Sequence, residues 1–183
     1  LVAIENGALS TLVTVDSGAV GVEGSSVYLR AGEVLTLEDL LYSLMLESAN
    51  DAAAAIAYAI GGGIPEFAEM MNAKAHSLGL TNTHFTNPHG LDDPEHYTTA
   101  ADLARLTAYA LHNPDFARIV STYRHSIPMQ DGDGVRVLVN HNRLLKKGTD
   151  IVGVKTGFTR KSGRCLVSAA KQNGVELVAV TLN

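Results

Sequence analysis

The chain has 183 residues, 46% hydrophobic and 18% charged, with a net charge of −5 at pH 7. That length and composition suit one globular domain with a real core and exclude a disordered chain. No Lys/Arg block offers nucleic acid a footprint, no apolar run reaches membrane-spanning length, and the single cysteine, Cys165, excludes an internal disulfide or a multi-cysteine metal site.

In chain order, Leu1 to Gly7 reads as the last turn of an apolar helix stopped by Asn6-Gly7, with no initiator Met, signal peptide or N-cap ahead of it. Thr11 to Val15 alternates and is β-rich, so it predicts a short strand. Gly18 to Ser26 is a Gly/Ser loop, and Val27 to Leu29 suggests a second short strand. Thr36 with Asp39 resembles a capping box and opens a helix whose apolar face is Leu37, Leu40, Leu41, Leu44 and Met45. That helix stops at Glu47-Ser48-Ala49-Asn50. An Ala-rich helix is predicted from Asp51 to Ile60, ended by Gly61-Gly62-Gly63.

Pro65 suits the first position of the next helix, whose apolar face is Phe67, Met70, Met71, Ala75 and Leu78. Thr81 to Tyr97 is a long polar loop with two prolines and three histidines, and a loop of that length in a compact domain is usually functional or self-packed. Thr99 with Asp102 caps a helix through Leu103, Leu106 and Ala110, and Asn113-Pro114 starts a short one to about Val120. Tyr123–Met129 and Val135–Val139 flank a hairpin signal over Gln130 to Gly134. Asn140 to Lys147 is a short helix or loop. Arg164–Ala170 and Val175–Thr181 flank Asn173-Gly174, a strong two-residue turn. Helices first and antiparallel strands last predict a mixed α and β fold, a helical cluster packed on an antiparallel sheet. The last strand has no closing element after it, and both ends are expected to be cuts through a larger domain.

Between those strands, Val152 to Thr159 reads as a strand with a cationic, hydroxylated tip at Lys155-Thr156-Gly157. Such an edge could pair with an extended peptide and hold its terminal carboxylate, with Gly157 letting another backbone come close. Ser48 and Asn50 sit in the break between two buried helices. They could project into a cleft, or Asn50 could cap the helix that follows. His89 and His96 bracket Asp92 and Asp93, but the spacing fits no metal template, and loop hydrogen bonds are the simpler reading. Cys165 is expected to pack as a small hydrophobe, and Arg160-Lys161 with Arg164 to form a solvated turn that could add positive potential near Lys155.

Together, Ser48-Ala49-Asn50 and Lys155-Thr156-Gly157 resemble two of the three motifs of penicillin-binding proteins and active-site serine β-lactamases, a motif set that is among the known catalytic signatures. Leu37 to Ala53, Asn87-Pro88-His89-Gly90-Leu91, His96 to Ala104 and Gly153 to Thr159 look like the low-molecular-mass D-alanyl-D-alanine carboxypeptidases. The Glu-x-x-Leu-Asn loop typical of class A β-lactamases is not found, which favours the carboxypeptidase branch. The family's Ser-x-x-Lys nucleophile motif does not occur before Ser48. Its one match, Ser168 to Lys171, comes after Lys155 in a predicted strand, where residues three apart point to opposite faces.

The resemblance implies a β-lactamase/transpeptidase-like domain over residues 1–183, an incomplete copy whose nucleophile motif lay just before Leu1. It implies acyl transfer on peptidoglycan stem peptides ending in D-Ala-D-Ala, inhibition by β-lactams, and no metal or organic cofactor. Ser48 would relay a proton to the leaving amine. Asn50 would donate to the substrate's amide carbonyl and orient the motif lysine. Lys155 would hold the terminal carboxylate, Thr156 would hydrogen-bond to it, and the strand at Gly157 would pair with the substrate backbone. The location implied is extracytoplasmic, with membrane attachment only through a segment outside this chain. This chain alone is expected to be inactive. The alternatives are a non-catalytic peptidoglycan-binding module and a β-lactamase-like hydrolase.

Overall fold

The computed structural model describes residues 1–129, 132, 134–148 and 150–183. Helix α1 (Val2–Asn6) leads to strand β1 (Leu12–Thr14), which pairs antiparallel with β2 (Val34–Thr36), Val13 opposite Leu35. β2 runs directly into α2 (Leu37–Glu47), because Thr36 both ends the ladder and caps the helix. Its Oγ1 accepts from the Asp39 backbone N–H at 3.0 Å and donates to the Asp39 carboxylate at 2.6 Å. Leu37, Leu40 and Leu46 on α2 are fully buried.

Helix α3 (Asn50–Gly61) is buried all round through Ala52 to Ala57, the pattern of a helix inside a core. Its small side chains let α2 and α4 (Ile64–Ser77) pack on either side. After the polar loop, α5 (Ala100–Leu111) is capped by Thr99 and α6 (Pro114–Ser121) by Asn113. Strands β3 (Arg124–Pro128) and β4 (Val135–Val139) form a hairpin, with His125 opposite Leu138. Of the turn predicted between them, Gln130, Asp131 and Asp133 lie outside the described residues. A 3-10 turn over Arg143–Lys146 leads into β5 (Ile151–Thr159), β6 (Gly163–Gln172) and β7 (Val175–Thr181), an antiparallel sheet in that order. Helix α6 lies on β5 and α5 on β7. The edge of β5 faces the α2–α3 joint, and this places the site.

Two expectations need correction. Val27 to Leu29 is not a strand: the Val27 and Leu29 backbone N–H groups donate to the Asp51 carboxylate at 3.3 and 3.0 Å, and Tyr28 between them has φ 59°. The partner of β1 is Val34–Thr36 instead. Helix α3 begins at Asn50, one residue early, and Asn50 does not cap it. The flanking residue is Ala49, whose side chain makes no capping bond.

Candidate active site

Helix α2 ends because Ser48 turns left-handed, at φ 57° and ψ 35°. A non-glycine residue there costs about 1–2 kcal/mol, so the surroundings must fix it. They do so on both sides. Before it, the Glu47 carboxylate accepts from the Val139 backbone N–H at 2.6 Å and lies 3.1 Å from His141 Nε2. After it, the Asn50 backbone N–H donates to the Ser25 carbonyl at 2.8 Å, and Asn50 Nδ2 donates to the Glu23 carbonyl at 2.5 Å. Gly24 makes this approach possible: its φ is +97°, and a Cβ there would sit 2.7 Å from Asn50 Nδ2.

Asp51 anchors the same loop. Only 1% exposed, its carboxylate accepts from the Ser26 hydroxyl at 2.6 Å, from the Val27 and Leu29 backbone N–H groups, and from the Ala52 N–H at 2.9 Å. Asp51→Ala strands several of these buried donors at once. The expected loss is about 3 kcal/mol of stability, a fall in melting temperature of roughly 6–12 °C. Thermal unfolding of the chain checks it, and an unchanged melting temperature would remove Asp51 from this role.

Lys155 comes to Ser48 from the other wall. Its Nζ donates to Ser48 Oγ and to its neighbour's carbonyl, Thr156 O, at 2.7 Å. Because the ammonium donates to Oγ, the Ser48 hydroxyl proton must point elsewhere, and the open direction is the cleft. Burial pushes the Lys155 pKa down from 10.5 to about 8. The Thr156 hydroxyl bonds to no described residue. A Cβ on Gly157 would meet only Cys165 Cβ at 3.7 Å, an ordinary contact, so the chain's own packing does not demand glycine there.

Ser48, Asn50, Lys155, Thr156 and Gly157 line one cleft of about 1260 Å³. Its further wall is the polar loop, through His89 and Gly90. That loop is self-packed. His84 bridges Tyr97, Asn72 on α4 holds Phe85, and His96 Nδ1 accepts from the Thr86 N–H at 3.2 Å. Burial lowers the His89 and His96 pKa values and favours their neutral forms. Asp93 caps a turn by accepting from the Glu95 N–H, and Asp92 accepts from the Thr159 and Ser162 hydroxyls, both at 2.9 Å. The acidic residues between the two histidines therefore serve the loop and the tip of the β5–β6 hairpin. Ser168 is buried in β6 and donates to the Gly153 carbonyl at 3.1 Å, while Lys171 is exposed, so the pair is not a dyad. Cys165 is half-buried beside Gly157.

Sequence reasoning missed Glu47, Asp51, His141 and Arg143 around this cleft. Of these, only Asp51, next to Asn50, had any local signal, and nothing in it told a loop anchor from an ordinary first-turn acid.

The family model described as D-alanyl-D-alanine carboxypeptidase matches residues 2–183. The chain belongs to the D-alanyl-D-alanine carboxypeptidase family. It is 36% identical over 172 residues to the D-alanyl-D-alanine carboxypeptidase DacF of Bacillus subtilis, covering 94% of this chain and 44% of that protein. It is 37% identical over 180 residues to DacB2 of Mycobacterium tuberculosis, covering 97% and 61%. The chain thus spans roughly half of the curated relatives it matches. A solved D-alanyl-D-alanine carboxypeptidase from Mycobacterium tuberculosis superposes with TM-score 0.93 at 35% identity, over 100% of this chain and 69% of that one. A solved DD-transpeptidase from Streptomyces gives 0.89 at 32%, over 99% and 75%. The fold is the β-lactamase/transpeptidase-like one that the two triplets implied.

One further feature of this carboxypeptidase-family chain bears on the site. A second, apolar cavity of about 390 Å³ lies behind the cleft, lined by Leu1, Leu41, Met45, Phe67 and Leu103, and it reaches Lys155.

Proposed function

We propose that this chain carries the carboxylate-binding and proton-relay walls of a serine-type D-Ala-D-Ala carboxypeptidase acting on peptidoglycan stem peptides, and that β-lactams inhibit it as substrate mimics. The observation that carries the reading is the Lys155 ammonium donating to Ser48 Oγ inside one large cleft, with Asn50 beside them. Residues 1–183 belong to a single penicillin-binding domain in this reading, as an incomplete copy of it. Its nucleophile comes from a Ser-x-x-Lys motif within about ten residues ahead of Leu1, a few turns of helix. The apolar cavity that runs from Leu1 to Lys155 gives those turns a place to lie.

In the reaction, the nucleophile's oxygen attacks the carbonyl between the two D-alanines, its proton passes to the motif lysine, and the peptide C–N bond breaks. The departing amine takes its proton from the Ser48 hydroxyl, whose oxygen is reprotonated from the motif lysine, and water later cleaves the acyl ester. Asn50 donates to the substrate's amide carbonyl and orients the motif lysine. Lys155 and Thr156 hold the terminal carboxylate, and the open edge of β5 at Gly157 pairs with the substrate backbone. None of these steps calls for a metal or organic cofactor. Such a substrate places the enzyme outside the cytoplasm. No helix among the described residues is long and apolar enough to cross a membrane, so membrane attachment would come from outside this chain.

The test is release of D-alanine from N-acylated Lys-D-Ala-D-Ala by the longer protein. Steady release supports the reading. Affinity for the peptide without release would make the protein a binding module, and rapid turnover of penicillin would make it a β-lactamase-like hydrolase.

A pH dependence follows from the Lys155 pKa of about 8. Acylation by carboxylate-bearing ligands should fall as pH rises through about 8, where Lys155 loses its charge. Lys155→Arg should carry that limb to higher pH. The effect on stability has the opposite sign. The folded pKa is depressed, so the unfolded chain binds more protons between about 8 and 10.5, and this contribution to stability grows across that window. Stopped-flow acylation and urea unfolding at matched pH values check both. Acylation that stays flat from pH 7 to 10 would count against a charged Lys155.

A further inference from the structure

The protein is acidic overall, at −5, yet its cleft is cationic. Lys155, Arg143 and Arg164 line it together with His89 and His141, and no Asp or Glu is among the described lining residues. Two acids bonded to residues of the cleft wall are Asp92, which accepts from the Thr159 and Ser162 hydroxyls, and Glu47, which accepts from the Val139 N–H and lies beside His141. Some other arginines of the chain are tied to carboxylates. Arg118 holds Glu38 and Asp115, and Arg136 holds Glu33. Arg143 and Arg164 form no ion pair among the described residues. Arg143 opens the 3-10 turn that borders the cleft, and Arg164 stacks its guanidinium 5.3 Å from the centroid of the Phe158 ring.

Lys155, buried at the Ser48 end, is assigned to the terminal carboxylate. That leaves two guanidinium groups with no ion pair among the described residues, and the planar fork of a guanidinium suits a second carboxylate.

We infer that Arg143 and Arg164 select acyl donors carrying a second carboxylate upstream of the terminal D-Ala-D-Ala, free rather than amidated. The inference rests on the D-Ala-D-Ala reading of the cleft and adds the charge class of the preferred substrate. The field of three cations in a low-dielectric cleft also speeds encounter with a doubly anionic peptide.

The test uses the longer protein and three synthetic peptides, N-acetyl-X-D-Ala-D-Ala with X glutamate, glutamine or lysine. At low salt, kcat/KM for the glutamate peptide should exceed that for the glutamine peptide about fivefold to tenfold, and the lysine peptide should be poorest. The glutamate-to-glutamine ratio should shrink toward unity in the Arg143→Gln/Arg164→Gln double variant and in high salt, and should persist with Arg164→Lys. A general loss of fold or of chemistry would lower all three peptides together and leave the ratio unmoved. Equal turnover of the glutamate and glutamine peptides by the unmodified protein would overturn the inference while leaving the carboxypeptidase reading intact. So would a preference that survives loss of both arginines. If no peptide loses D-alanine, the reading of the site fails and the inference fails with it.

Discussion

Replacing Ser48 by glycine in the longer protein should separate stability from activity. Ser48 holds a left-handed conformation that costs an L residue about 1–2 kcal/mol, and glycine adopts it freely. Part of that gain is offset by the greater freedom of glycine in the unfolded chain. Stability should therefore hold or rise, by up to about 1 kcal/mol. Activity should collapse, because the hydroxyl that the proposed reaction uses to protonate the leaving amine is gone. Loss of a positioned acid–base group is worth on the order of 10²–10⁴-fold in turnover. Paired urea-unfolding and D-alanine-release measurements check both halves. Turnover preserved alongside an intact fold would remove Ser48 from the proton path. A marked loss of stability would mean that the left-handed turn is not strained.

The second large effect is at Lys155. Lys155→Ala should slow acylation by peptide and by β-lactam alike, since in the proposed reading both present a carboxylate to the same ammonium. The expected loss is roughly 10- to 150-fold, the equivalent of the about 1.5–3 kcal/mol typical of a hydrogen bond to a charged group. It should appear in both substrates' second-order acylation constants. The same substitution removes the donor to Ser48 Oγ, so the hydroxyl proton is no longer steered toward the cleft. Lys155→Arg should recover part of the carboxylate binding and little of that steering, because a planar fork does not replace a compact ammonium at one oxygen. Unchanged acylation rates in Lys155→Ala would take the residue out of the site.

The parts that sequence reasoning reached are those with a short-range cause. Thr36 with Asp39 and Thr99 with Asp102 cap the helices they were expected to cap, and Asn173-Gly174 turns the last hairpin. The Ser48 and Lys155 triplets were readable because each is short and of unusual composition. The pairing that matters is 107 residues apart in sequence, and only the fold brings it into contact.

Where local pattern misled, a distant partner was the reason. Val27 to Leu29 has strand composition, but its donors go to a carboxylate 22 to 24 residues away, so no ladder can form. Val34 to Thr36 is the true partner of β1, masked because Thr36 also starts α2. Asn50 has the residue type of a helix cap, yet its amide is drawn to the Glu23 carbonyl. Arg164 was legible only as part of a basic turn that could add positive potential near Lys155, and Arg143 carried no local signal, because an arginine on a cleft wall and a solvated one look alike in sequence.

The central claim is that Ser48, Asn50 and Lys155 form the walls of an acylation site whose nucleophile lies ahead of Leu1. Labelling with fluorescent penicillin on a denaturing gel tests it most directly, applied side by side to the 183-residue chain and to the longer protein. The prediction is stoichiometric covalent label on the longer protein, mapped to a serine upstream of Leu1, and none on the 183-residue chain. Stoichiometric label on the 183-residue chain would contradict the account and place the nucleophile within it.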